Sequence, residues 1–238
     1  MKRIDKIISE QTKYSRKEIK KLITQGAVLV NGKPVKKPEE KYNEEEIDIT
    51  INGQGITIKK HIYLLLNKPK GYVSTTDTTH ERSVLELVPD EYKTRNLFPA
   101  GRLDKDTTGL MLITDDGEFS HNILSPKKHV RKIYEVTIDI PITNTMIKGF
   151  EKGVKLSDGE CKTAKLEIMS EYVAKVTITE GRYHQIKRMF GCYGAKVLEL
   201  NRICMGNLFI PEDLNIGDVR EANENELRNM GTDVRENF

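Results

Sequence analysis

The chain contains no tryptophan, and its three cysteines, Cys161, Cys192 and Cys204, stand far apart with no Cys-x-x-Cys pair. So sparse and odd a set argues against a disulfide framework and a cysteine zinc site. Long apolar runs are missing as well. The longest is the five-residue stretch 62–66, against the roughly 20 apolar residues that a membrane-spanning helix needs. The opening Met1-Lys-Arg-Ile-Asp-Lys6 lacks the apolar core of a secretory signal. There is no internal repeat and no low-complexity segment. The expectation is a soluble, cytoplasmic protein with no membrane contact.

What the chain does have is charge, unevenly placed. Of its 238 residues 32% are charged and 37% hydrophobic, with a formal net charge of +3. That size allows one large domain, or a medium domain with a small one attached. Residues 1–41 hold 12 Lys and Arg against 5 Asp and Glu, while the other 197 residues hold 27 against 31. A basic head on a mildly acidic body fits a polyanionic partner whose phosphates supply most of the affinity. A solvated lysine-rich helix face would give the same balance.

In the head, Ile4, Ile7 and Ile8 repeat at helical spacing. Ser15-Arg-Lys-Glu18 has the form of a capping box, Ile19, Leu22 and Ile23 carry one apolar stripe, and Gly26 is a natural stop. Lys17, Lys20 and Lys21 fall mostly off that stripe and should project into solvent or onto a ligand. Asn31-Gly32 between two short apolar runs signals a hairpin, and residues 47–51 alternate like a strand. Residues 52–55 and Lys59-Lys60 read as a hinge, which puts a boundary near residue 60.

Beyond it, strands are expected at 62–66, 110–114, 132–139, 164–169, 173–179 and 197–200, and helices near 83–88, 117–124, 143–152, 184–193 and 223–229. Strands and helices do not alternate regularly, so an α+β domain with a mixed, largely antiparallel sheet fits better than a doubly wound one. The polar tail after Gly231 should fray.

Three segments of this larger part could carry chemistry. The first is Gly101-Arg-Leu-Asp104-Lys-Asp106-Thr-Thr-Gly109 ahead of an apolar strand. A glycine-bracketed loop can hold Asp104 rigidly, and a nearby cation keeps an aspartate ionised as nucleophile or base. A salt-bridged aspartate in a turn would read the same way. The second is Gly181-Arg-Tyr-His-Gln-Ile-Lys187, where Lys187 shares a helix face with His184; it suits phosphate binding or a solvated helix end. The third is the basic loop from Ser125 into Lys132-Ile-Tyr134, where Tyr134 would be either core or catalytic.

Two resemblances resolve these alternatives. Arg3-x-Asp5-Lys6, Ser15-Arg-Lys17 and Leu22-Ile-x-x-Gly26-x-Val28-x-Val30-Asn-Gly32 resemble an S4 RNA-binding domain over residues 2–51. The resemblance implies RNA contacts from Arg3, Ser15, Arg16, Lys17, Lys20 and Lys21, with Ser15 equally suited to be only a helix cap. Residues 62–222 are similar to the RsuA-type pseudouridine synthases, through Leu66-Asn-Lys-Pro-Lys-Gly-Tyr-Val73, Gly101-Arg-Leu-Asp104, Lys132-x-Tyr134, Gly181-Arg-Tyr-His-Gln-Ile-Lys187 and Leu200-x-Arg202. The implied architecture is an S4 domain over 1–58, two helices plus a small sheet, and a catalytic domain over 61–238 whose mixed, mainly antiparallel sheet is flanked by helices.

The implied reaction breaks the C1′–N1 bond of a uridine in RNA, turns the base and rejoins it through C5, with neither cofactor nor metal. The base must leave its stack, which is easiest in loops or strained helices. Asp104 would be the essential carboxylate, acting at C1′ or on the 2′ hydrogen. Lys187 would pair with it, as a single-point cation where many relatives carry arginine. Tyr134 would lie against the base and help remove the C5 proton. Leu200 would wall the pocket, and Arg102, Arg182 and Arg202 would contact phosphate or order loops, Arg102 being best placed to fill the space that the base leaves. Asp106-Thr-Thr-Gly109 and Thr114-Asp-Asp-Gly117 look more like the small-subunit branch, of the 16S rRNA pseudouridine(516) synthase type. The expected partner is therefore 16S rRNA before 23S rRNA, free or in a partly assembled subunit, met by a monomer. The rivals from other classes are a non-catalytic ribosome-assembly factor and a metal-dependent nuclease built on Asp104, Asp106, Asp115 and Asp116.

Overall fold

Ile4, Ile7 and Ile8 are fully buried, and their helix comes early in the computed structural model, which describes residues 1–125, 128 and 130–231. The polar tail after Gly231, and part of the basic loop after Ser125, lie outside the described residues. The chain divides into two units, Met1–Ile62 with Val88–Leu97, and Tyr63–Leu87 with the chain from Phe98 onward.

In the first unit β1 (Lys2–Arg3) runs into α1 (Ile4–Gln11), followed by α2 (Arg16–Thr24), β2 (Val28–Val30), β3 (Lys33–Pro34), β4 (Lys41–Tyr42), β5 (Ile49–Ile51) and β6 (Gln54–Ile56). The capping box forms: the Ser15 hydroxyl accepts from the Glu18 amide, and the Glu18 carboxylate accepts from the Ser15 amide at 2.8 Å. Strands pair in the order β3-β2-β5-β6, with β4 on β1. Ile8, Ile19, Ile23, Val28, Val30 and Ile49 fill the core between helices and sheet. The expected hinge at 52–55 is instead a hairpin. Asn52 and Gly53 take φ of 51° and 79°, as Asn31 and Gly32 take 49° and 74°, and this left-handed pair turns β5 back into β6. The returning segment Val88–Leu97 is tied in by Arg95, whose guanidinium donates to the carbonyls of Glu10, Lys59 and Lys60.

The second unit is built on β7 (Tyr63–Lys68), β8 (Phe98–Ala100), β9 (Thr108–Thr114), α3 (Gly117–Leu124), β10 (Lys132–Ile138), α4 (Asn144–Lys152), β11 (Lys155–Leu156), β12 (Gly159–Glu160), β13 (Lys165–Ile168), β14 (Val173–Ile178), α5 (Gln185–Gly191), β15 (Val197–Met205), β16 (Leu208–Phe209), β17 (Val219–Glu221) and α6 (Glu224–Gly231). The main sheet runs β13-β14-β10-β15-β9-β7-β17, with β16 on β15 and β8 on β9. Its ladders are antiparallel except β15 with β9. The fold is thus α+β with a mixed, mainly antiparallel sheet.

The short strands β8, β11, β12, β16 and β17 were not expected, and two of the expected elements differ in type or extent. The helix near 83–88 is only the 3-10 turn Val84–Leu87, because Val88 precedes Pro89 and that position disfavours helical backbone. The last long strand continues past residue 200 to Met205, because Leu200, Arg202 and Cys204 alternate onto the buried side.

The parallel seam between β9 and β15 is only two residue pairs long, Thr108 with Asn201 and Gly109 with Arg202. It requires glycine at 109. With φ at 111°, a Cβ there would sit 2.3 Å from the Arg202 carbonyl oxygen and 2.6 Å from its nitrogen, both backbone atoms. Gly109→Ala should therefore cost about 3 kcal/mol or more of stability, measured as a shift of the urea midpoint; an unchanged midpoint would show that the seam yields.

Candidate active site

Asp104 lies in the loop between β8 and β9, and the backbone of that loop is held from below. Lys68, the last residue of β7, has no exposed surface. Its ammonium donates to the carbonyls of Asp104 at 3.0 Å, Thr107 at 2.9 Å and Lys105 at 3.4 Å, and to that of Pro69 at 3.2 Å. Burial pushes the Lys68 pKa down to about 8, against the upward pull of Asp106 and Asp104. Ser74 clamps the other side: its hydroxyl donates to the Leu103 carbonyl at 2.8 Å and accepts from the Leu103 amide at 3.0 Å.

With the loop fixed, the Asp104 side chain, 27% exposed, faces α5. Lys187 Nζ lies 3.1 Å from Asp104 Oδ2 and 2.5 Å from Asp106 Oδ1. Burial works against the Lys187 charge, but its bonds to Asp106 and Asp104 outweigh this and raise its pKa. Asp106 is lowered in turn: burial raises it, and the hydrogen bond and charge of Lys187, with smaller help from its own backbone and from His184, together outweigh that. His184 Nε2 stands 3.5 Å from Asp104 Oδ1, and the residue takes left-handed backbone, φ 48° and ψ 35°, immediately before α5. The turn ahead of it is locked by buried Gln185, whose amide oxygen accepts from the Arg182 amide and whose nitrogen donates to Glu180.

Asp104, Arg182, His184 and Gln185 border a cleft of about 310 Å³, also lined by Tyr134, Leu200, Ile178 and Leu124 and by the buried Lys132 and Arg202. The Tyr134 hydroxyl makes no hydrogen bond among the described residues. The Arg202 side chain is almost wholly buried and donates from Nε to the Leu110 carbonyl at 2.7 Å, while its buried Nη2 has no partner. Lys132 has one acceptor, the Val130 carbonyl at 3.1 Å, and burial, with the Arg202 charge adding to it, pushes its pKa down to about 8. A carboxylate at the mouth, an aromatic and aliphatic wall and a cationic floor form a site for a flat polar ring that gains negative charge.

Of the residues singled out in the sequence, Asp104, Tyr134, Arg102, Leu200 and Arg202 line one cleft, and Lys187 reaches it through its ion pair with Asp104. Arg202 is too deeply buried to meet a phosphate at the surface, so of its two expected roles the ordering of the loop and floor fits. Arg182, expected on RNA, lines the cleft but commits its guanidinium to the Gly159 and Glu160 carbonyls of the β11–β12 turn.

In the first unit Lys17, Lys20 and Lys21 are exposed on α2. Arg3 and Arg16 share the buried carboxylate of Asp5, Arg3 through two bonds of 3.0 Å and Arg16 through one of 3.2 Å. The Ser15 hydroxyl is engaged with Glu18 as a cap.

Sequence reasoning gave no role to Lys68 or Lys132, and placed His184 only in a segment suited to phosphate binding or a solvated helix end. Period-two alternation places Lys132 on the Tyr134 face of its strand, a signal that was there to be used. Asp116 does not join the site: it caps α3 and accepts from the Tyr63 hydroxyl. Among the described residues no group of His, Cys, Asp and Glu is arranged to hold a metal ion, and no helix is long and apolar enough to cross a membrane. Of the four carboxylates that the nuclease reading invoked, Asp116 is thus committed to the cap of α3.

Comparison with known proteins gives a consistent result. The family model described as RNA pseudouridylate synthase matches residues 62–191, and the S4 domain model matches residues 2–48. An uncharacterized RNA pseudouridine synthase of Bacillus subtilis is 40% identical over 230 residues, covering 94% of this chain and 96% of its own. Ribosomal small subunit pseudouridine synthase A of Escherichia coli K12 is 39% identical over 232 residues, covering 96% and 99%. A crystal structure of a pseudouridylate synthase superposes with a TM-score of 0.68 at 38% identity, covering 97% of this chain and all of that one.

The buried Lys132 makes stability depend on pH. At pH 7 the folded and unfolded chains both carry its proton, and the buried charge is a cost. Between about pH 8 and 10.5 the folded chain sheds that proton first, so the cost fades as pH rises. Relative to Lys132→Met, the wild type should gain about 2 kcal/mol between pH 7 and 9.5. Urea unfolding of both proteins at the two pH values checks this, and a pH-independent gap would contradict it.

Proposed function

The chain belongs to the RNA pseudouridylate synthase family, in the RsuA branch that carries an S4 domain, and we propose that it converts one uridine of 16S rRNA to pseudouridine, with Asp104 as the acting carboxylate. As a pseudouridine synthase it is an isomerase. The observation that carries the assignment of residues is the Asp104–Lys187 pair, 3.1 Å apart at the mouth of a cleft walled by Tyr134 and Leu200.

The chemistry follows from that arrangement. A uridine turned out of its stack enters the cleft with its base against Tyr134 and Leu200 and its sugar toward Asp104. Lys68 fixes the backbone of residues 104–107 and Lys187 aims the carboxylate, so that its oxygen meets the sugar without searching. As the C1′–N1 bond breaks, negative charge gathers on the base. Lys132 and the free Nη2 of Arg202 face that charge from the floor. The base turns and C5 bonds to C1′; the C5 proton leaves to solvent with help from the Tyr134 hydroxyl, N1 takes up a proton from solvent, and Asp104 returns to its free carboxylate, so the product is an isomer of the substrate. Nothing is oxidised or reduced and no group is transferred, so the reaction calls for no cofactor.

We assign RNA holding to the S4 unit over 1–58 and catalysis to 61–238. Lys17, Lys20 and Lys21 form the exposed basic face that meets phosphates, with Arg3 and Arg16 set beside it by Asp5. The finer reading, a 16S rRNA pseudouridine(516) synthase, is supported by the loop residues Asp106-Thr-Thr-Gly109 and by relatives named for the small subunit. We take it to act as a monomer.

Tritium release from 5-tritiated uridine in separate 16S and 23S transcripts, and in partly assembled small subunits, tests the proposal. Release should occur with 16S RNA or its particles and vanish in Asp104→Asn, whose RNA affinity should stay within about twofold because the change removes charge and little volume. Release from 23S RNA alone would overturn the substrate, and equal loss of binding and turnover would overturn the role of Asp104. Replacing Lys17, Lys20 and Lys21 together by alanine should lower the slope of log affinity against log salt by about 2 to 3, as read by filter binding. An unchanged slope would place the phosphate contacts elsewhere.

A further inference from the structure

A second cleft of about 530 Å³ adjoins the first and shares Arg102, Asp104, Tyr183 and His184 with it; its far side is the segment from Val73 to Glu81. The RNA on either side of a flipped uridine has to leave the first cleft, and this groove is continuous with it. Three features of the shared wall have no part in the chemistry described above.

Tyr183 is 66% exposed, the highest value among the large aromatic side chains that stand out to solvent. An aromatic ring so placed loses the gain of burial, and nothing in the packing of α5 requires it there. One of its faces lies flat on the His184 imidazole, with ring centres 3.9 Å apart and planes 19° from parallel. The strained backbone of His184 turns that imidazole to within 3.5 Å of Asp104. The two rings therefore form a short stack that starts at the reacting carboxylate and ends with an open aromatic face. Beside it, the exposed Arg102 lines both clefts and has no hydrogen bond or ion pair among the described residues. The neighbouring Lys105, by contrast, is paired with Glu81 at 2.7 Å.

We propose that the free face of Tyr183 is a stacking platform for the nucleobase next to the target uridine, with the phosphate between the two nucleotides on Arg102. The inference rests on the reading of Asp104 as the carboxylate that acts on a flipped uridine. Once the target has left its stack, its neighbour has lost a stacking partner, and an exposed aromatic ring replaces it whatever the base. The platform thus fixes the direction in which the strand leaves Asp104 without reading sequence. A guanidinium suits the phosphate, which it can hold through two bonds.

The test uses the full-length protein and a short RNA carrying 2-aminopurine beside a uridine, with the mirror RNA carrying it on the other side. Binding should quench 2-aminopurine on one side only. Tyr183→Ala should abolish that quenching and raise KM for the 16S substrate about tenfold, with a smaller change in kcat and an unchanged unfolding midpoint. Tyr183→Phe should restore both readouts, and Arg102→Ala should weaken binding and flatten its salt dependence. Quenching that survives in Tyr183→Ala would overturn the platform, as would a phenylalanine variant as impaired as the alanine one. The underlying reading fails separately: Asp104→Asn should quench like the wild type while releasing no tritium. Tritium release that survives in Asp104→Asn would remove Asp104 from the chemistry and leave the stacking result standing.

Discussion

The catalytic unit depends on a lysine that water never reaches. Removing an ammonium from water costs several kcal/mol unless its hydrogen bonds are replaced. Lys68 replaces them with carbonyls of its own neighbourhood, and three of these belong to the loop that carries Asp104. The cost of the buried charge and the shape of the loop are therefore one constraint. A loop of different shape would strand the cation, and a neutral residue at 68 would leave the carbonyls without donors. Because the bonds go to the main chain, the carboxylate of Asp104 stays free to face Lys187 and a substrate.

The cations of the site work in two layers. Lys187 lies at the mouth, between Asp104 and Asp106, and its charge is held by both. Lys132 and Arg202 lie beneath, on adjacent strands whose ladder brings Tyr134 opposite Arg202. Their donors are incompletely used, with one acceptor for Lys132 and a free Nη2 on Arg202. A deep cation with spare donors is poor for stability, which is the usual mark of a group placed for a ligand and not for the fold. The upper layer pairs with carboxylates of the protein; the lower keeps donors to spare.

Much of this was legible in the sequence, for identifiable reasons. Local signals worked where local energetics decide: Ser15 and Glu18 capped α2, and Asn31-Gly32 turned its hairpin. The same Asn-Gly signal recurs at 52–53, but its following strand is only Gln54-Gly-Ile56, too short and polar to advertise itself. The convergence of Asp104, Tyr134 and Lys187 came from the resemblance of ordered motifs, since no spacing rule brings residues 30 to 80 apart together. What escaped was burial of charge. Lys68 ends a run of buried residues, and Lys132 and Arg202 fall on inward positions of alternating strands, yet a lone lysine or arginine reads as surface until its acceptors are known. Main-chain carbonyls from a distant loop leave no trace in sequence.

The two-pair seam at Gly109 has a consequence for descent. It joins the half of the sheet that supplies the carboxylate to the half that supplies the aromatic and cationic floor. The cleft thus arises where two sheet halves meet, and no outer loop is needed to shape it. Rim residues beyond the Ser74 clamp, such as Asp77, His80 and Glu81, can change length or charge under selection while the distance from Asp104 to its floor stays set by backbone pairing. In such a scaffold, chemistry and choice of RNA are separately heritable.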